Sequence, residues 1–163
     1  MSMRRIDAHL HVWAPKEKAG EFPYYGALIG SSSAANEPPM PGHAELLLDE
    51  MAGAGVSQAI IIQPGNHMFD HKYVTSVLKT YPKDFVGVLL ANPAGGPSAG
   101  AAEIERLVRE EGYCGVRFNP YLWPDGEKMT NSVGMDMYRK AGELGVPVSS
   151  RSLSHSLSLS ALV

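Results

Sequence analysis

Arg4-Arg5-Ile6-Asp7-Ala8-His9-Leu10-His11-Val12-Trp13, near the start of the 163-residue chain, is the stretch on which the fold turns. Apolar Ile6, Ala8, Leu10 and Val12 alternate with Asp7, His9 and His11, the period of a β-strand with two unlike faces. Successive side chains of a strand point to opposite faces, so residues two apart share one. Asp7, His9 and His11 are therefore expected to project together. Two imidazoles held this way can grip one divalent cation, because neutral imidazole is the commonest metal ligand. The competing reading makes them polar residues at a strand end, satisfied by backbone or water.

Outward from this strand, the chain alternates strand and helix patterns. Leu46, Leu47, Met51 and Ala54 supply a helical stripe over residues 43–54, with Gly53 and Gly55 as punctuation. Residues 56–63 follow as a strand whose Ile60-Ile61-Ile62 run suits a parallel sheet covered on both faces. The pattern then predicts helix over 70–81, strand over 85–90, helix over 101–112 and strand over 113–119. Asn131 is placed to cap a helix running to Leu144, and Val146-Pro147-Val148 opens a fifth strand. Such alternation is the mark of an α/β fold with a parallel sheet. Two stretches break it. Residues 14–42 are irregular, interrupted by Pro15, Pro23, Pro38, Pro39 and Pro41, and a loop of that length is often a lid. Its Tyr24 and Tyr25 are expected either to pin it to the rim or to touch substrate. Gly95-Gly96-Pro97-Ser98-Ala99-Gly100 has the glycines of a phosphate cradle but neither the spacing nor the Lys-Ser/Thr ending, so it reads as a flexible loop.

Ile6-Asp7-Ala8-His9-Leu10-His11-Val12-Trp13 resembles the first strand of the amidohydrolase superfamily, metal-dependent hydrolases built on a (β/α)8 TIM barrel. The similarity is greatest to the amidohydrolase-related branch of sugar lactonases, dicarboxylate lactonases and some non-oxidative decarboxylases. It continues through Gln63-Pro64, Asn92-Pro93 and Gly115-Val116-Arg117-Phe118, to about Val148. The resemblance implies that His9 and His11 are metal ligands, for one divalent ion such as zinc or manganese. Bimetallic members carry a modified lysine on the fourth strand, which is lacking here. The other ligands and the general base of the family come from later strands.

A TIM barrel typically takes about 250 residues. This chain is therefore expected to hold only about the first five strand–helix units, an incomplete barrel spanning 1–148. Residues 149–163 form a Ser/Leu-rich run of low complexity, expected to lie outside the family fold. His155 within it is a candidate third ligand in serine-rich surroundings that argue against the role. The open sheet edge is expected to favour self-association, and the metal to be weakly held or missing.

Three further residues are candidates for substrate binding. Arg117 shares a strand face with Gly115 and Asn119, and its fork suits a carboxylate; an ion pair with Asp7 or another acid is the alternative. Gln63 has the parity of Ala59 and Ile61 and is expected to point inward. His67 and His71 stand four apart, but without the Glu of a His-Glu-x-x-His site a metal role is disfavoured, leaving His67 as a substrate contact.

Composition narrows the class. With 44% hydrophobic residues and a net charge of −3, nothing suggests nucleic acid or an anionic membrane as partner. Cys114 is alone, so no internal disulfide forms, and with no apolar run of spanning length and no signal-peptide pattern the expected compartment is cytoplasmic. The resemblance implies a metal-dependent hydrolase of a lactone or similar carboxylated small molecule. The alternatives are a catalytically inactive truncated product and a decarboxylase of the same family.

Overall fold

Strands β1 (Ile6–Leu10), β2 (Gln58–Ile62), β3 (Phe85–Leu90), β4 (Tyr113–Phe118) and β5 (Val148–Ser150) alternate with helices α1 (Ala44–Ala54), α2 (Lys72–Thr80), α3 (Gly96–Glu110) and α4 (Ser132–Glu143). In the computed structural model, which describes residues 4–25, 38–124 and 126–150, the strands form one parallel sheet in sequential order β1-β2-β3-β4-β5. It is a curled half-barrel, helices on its outer side. Among the described residues no helix is long and apolar enough to cross a membrane.

The register sorts the side chains into two faces. Ala59 and Ile61 pair with Phe85 and Gly87, and Leu89 pairs with Val116; this set is buried against the helices. The alternate set is Ile60 and Ile62, paired with Val86 and Val88, then Leu90 paired with Arg117, which pairs in turn with Ser149. That set lines the concave face. Under the helices, Ile61, Leu89, Ile104, Leu107, Val116 and Met137 are all at most 1% exposed. Burial of each such side chain is worth about 1.5–3 kcal/mol, which makes this layer the core.

Most expected elements are present with slightly different ends. Asn131 caps α4 as expected, its Oδ1 accepting the Gly134 N–H at 2.9 Å. Gly55, left-handed at φ 67°, closes α1. The glycine-rich run at 95–100 is a correction: it is not a loop but the opening of α3. The reason lies in packing between helices. A Cβ on Gly100 would stand 2.7 Å from Met137 Sδ, so the glycine lets α3 and α4 approach closely.

On the helix side of β5, Phe118, Met129, Met135, Tyr138, Val148 and Ser150 line an apolar groove. Residues 151–163, including His155, lie outside the described residues.

Candidate functional site

β1 delivers His9 and His11 to the concave face at the C-terminal end of the sheet. Their ring centroids are 5.4 Å apart with planes at 83°. Leu10 and Val12, the intervening positions, go the other way: Leu10 is in register with Ile61, and Val12 is fully buried. The His11 Nδ1 lies 2.8 Å from the Ile62 carbonyl oxygen. A carbonyl can only accept, so Nδ1 carries the proton and Nε2 keeps its lone pair. Burial pushes the His11 imidazole below its ordinary value; the positive charge of Arg117 adds to this, while the Ile62 hydrogen bond opposes it. At neutral pH the ring is therefore uncharged, the form that binds a cation.

Asp7 does not join the pair. The β1–β2 register slips between Asp7 and Leu10, and Asp7 Oδ1 accepts the His9 N–H at 3.0 Å. A carboxylate tied to the backbone of the slipped segment fixes the strand's end. The two imidazoles stand side by side, while the Asp7 carboxylate turns to the backbone.

Arg117 lies on the concave face, between outward-facing Val116 and Phe118. Its positive charge contributes to the lowering of the His11 imidazole.

Gln63 and His67 are placed differently from the expectation. Gln63 has the parity of Ala59 and Ile61, as the sequence indicated, but that parity faces the helices. The side chain is fully buried, and its Nε2 donates to Met68 O at 3.1 Å and Asp70 O at 2.9 Å. It holds the turn after β2. The misreading has a clear origin: Ile60-Ile61-Ile62 is apolar on both faces, so the sequence carries no sign of which one looks into the barrel. His67 is 1% exposed and both ring nitrogens are engaged by backbone. Nδ1 donates to Pro23 O at 2.9 Å, and Nε2 accepts the Ala14 N–H at 3.1 Å. No ring nitrogen remains for a ligand. Tyr24 stacks on this ring at 4.9 Å and gives its hydroxyl to Ala14 O, so it pins the loop, while Tyr25 is exposed with its N–H on Asn66 O. His71 is also buried, its Nε2 accepting the Leu90 N–H at 3.1 Å.

The donor set at the mouth fits a divalent cation in kind. In number it falls short: among the described residues no group of three His, Cys, Asp or Glu could hold a metal ion. A catalytic zinc ordinarily takes three protein ligands.

This fold, with paired imidazoles at the end of its first strand, is that of an incomplete (β/α) barrel. A family model described as Amidohydrolase matches residues 6–157, and the chain belongs to that family. No curated protein matches it. Among solved structures, one from Acinetobacter baumannii, named a probable 2-pyrone-4,6-dicarboxylic acid hydrolase and holding citric acid, is similar with TM-score 0.69 at 15% identity. The match covers 92% of this chain and 50% of that one. A Pseudomonas putida protein named for the same hydrolase is similar with TM-score 0.65 at 24% identity, over 92% of this chain and 49% of that one. An Agrobacterium tumefaciens protein has TM-score 0.60 at 17% identity, over 91% and 48%. The chain thus spans about half the length of the solved structures it matches.

Proposed function

We propose that this chain carries the first-strand part of the active site of a metal-dependent hydrolase acting on a lactone or similar carboxylated small molecule. One observation carries the reading: two adjacent imidazoles, one with its tautomer fixed by Ile62 O, at the end of a strand whose sheet carries Arg117 on its concave face. A ring whose far N–H is held by a backbone carbonyl is oriented as metal-bound histidines usually are. A divalent cation held by His9 and His11, zinc or manganese, would supply Lewis acidity toward a substrate carbonyl. Arg117 binds the substrate's carboxylate and orients the molecule along the sheet. The citric acid in the Acinetobacter structure and the dicarboxylic acid in its name support a carboxylated ligand. Gln63 and His67 serve this site indirectly, by fixing the turn after β2 and the loop after β1.

The metal half of the reading is tested by zinc and manganese titration of the purified chain. We expect one weakly held ion per chain, lost on His9→Ala or His11→Ala. Unchanged binding in the double variant would move the metal elsewhere.

The donor count favours a second reading, in which the chain binds ligand without turning it over. General-base catalysis needs a group within hydrogen-bond reach of the reacting water, and among the described residues the carboxylate seen beside the pair, Asp7, is tied to the His9 N–H. Assay of 2-pyrone-4,6-dicarboxylate hydrolysis with metal supplied separates the two readings. Turnover above the blank, abolished by His11→Ala, would favour the enzyme; none would favour the binding-only chain. A decarboxylase would use the same imidazoles, and product analysis distinguishes it.

A further inference from the structure

We infer that Ser149 is a second substrate-binding residue, its hydroxyl donating to the same carboxylate that Arg117 grips. The inference rests on the proposed carboxylate role of Arg117 and names the group that completes that subsite.

The argument is one of strand parity. β4 and β5 are parallel with Val116 opposite Val148, Arg117 opposite Ser149 and Phe118 opposite Ser150. Side chains of register partners emerge on the same face of a sheet, from strands about 4.8 Å apart. Val148, Ser150 and Phe118 all line the apolar groove on the helix side. Ser149, between two of them, must then point the opposite way, onto the concave face beside Arg117. It is exposed there, in register with Arg117 toward the C-terminal end of the sheet. That is the end of a parallel α/β barrel where ligands collect.

The chemistry suits the position. A guanidinium offers two parallel N–H donors to a carboxylate, and a carboxylate has about four lone-pair sites. Two remain after a bidentate grip, and a serine hydroxyl one strand away can donate to either. Both members of the pair are donors in that pose, so the subsite favours an anionic group over a neutral amide or hydroxyl. The concave row then runs from the imidazoles of β1, past Ile62 and Leu90, to Arg117 and Ser149. A ligand with a reacting carbonyl at one end and a carboxylate at the other matches it. Serine-rich sequence after Val148 concealed this, because the run reads as a tail; the parity of Val148 and Ser150 reveals it.

The test uses the full chain with citrate as probe, binding followed by calorimetry or ligand-observed NMR. Ser149→Ala should weaken citrate binding roughly tenfold, the loss of one hydrogen bond to a charged group. Ser149→Thr, which keeps the hydroxyl, should restore most of it. Ser150→Ala, one residue away on the opposite face, should leave it unchanged. Arg117→Met should abolish it. Thermal melts of each variant separate binding from folding. Loss in Arg117→Met with none in Ser149→Ala would overturn the role of Ser149 and leave the Arg117 reading standing. Equal losses in Ser149→Ala and Ser150→Ala would also overturn it, by showing a general effect on β5. No citrate binding by the parent chain, or none lost in Arg117→Met, would overturn the carboxylate reading and this inference with it.

Discussion

Acidification from pH 7 to pH 5 should cost the fold about 2 kcal/mol through His71 alone. Burial lowers the His71 imidazole from 6.5 to about 4, although the carboxylates of Glu103 and Asp70 pull the other way. The ring is 5% exposed, and its Nε2 accepts the Leu90 N–H inside the sheet–helix junction. Protonation would turn that acceptor into a donor facing another donor. The sign follows from proton counting. Below pH 6.5 the unfolded chain takes up a proton at this residue, while the folded chain does not until about pH 4. The unfolded state therefore binds more protons across this window, and stability falls as pH falls. Full stability is present above 6.5, and the loss is complete near 4. His67, lowered by burial in the same direction, adds to the slope. The shifted carboxylates of Glu103 and Glu111 act mainly below this window. Urea unfolding at pH 7, 6 and 5 reads the effect as a falling midpoint. His71→Gln, which keeps a side-chain oxygen as acceptor, should start less stable and lose much of the pH dependence. A flat midpoint between pH 7 and 5 would show that His71 charges without penalty.

What the sequence revealed and what it hid divide along a physical line. The strand–helix alternation and the imidazole pair rest on local periodicity, and both are present: β1 carries alternate polar residues, and α4 begins where Asn131 caps it. Positions set by tertiary contact were less legible. In 95–100, local propensity argued for a loop, but close approach to Met137 selects glycine inside α3. Along Ile60-Ile61-Ile62, both faces are apolar because the half-barrel buries one under helices and fills the other with concave-face neighbours, so inside and outside look alike. Gln63, at the end of that run, takes the helix-facing parity. Asp7 had the parity of its neighbours, and a register slip that no sequence pattern announces turned its carboxylate to the backbone. Histidine is the hardest case, since the same residue serves as ligand at a strand end and as backbone clamp in a turn. His11 and His67 differ in what lies beside them: one carbonyl that fixes a tautomer, against two backbone groups that consume both nitrogens.

That difference makes the second large effect predictable. Replacing His67 by Leu should destabilise the fold by about 3 kcal/mol and leave citrate affinity of the folded fraction unchanged. Two backbone groups lose their partner: the buried Ala14 N–H and the half-buried Pro23 carbonyl. Leaving such a group unsatisfied costs about 1–3 kcal/mol each, and leucine fills the space without offering either a donor or an acceptor. The stacked Tyr24 ring loses its neighbour as well. Ala14 and Pro23 bracket the start of the loop that follows β1, so the loss falls on how that loop is seated against the turn after β2. His67→Gln offers one donor and one acceptor on a single amide and should recover part of the loss. Thermal melts and citrate titrations on the same samples separate the possibilities. A substrate contact would give the reverse pattern, with an unchanged melting temperature and weakened citrate, and that result would return His67 to the binding site.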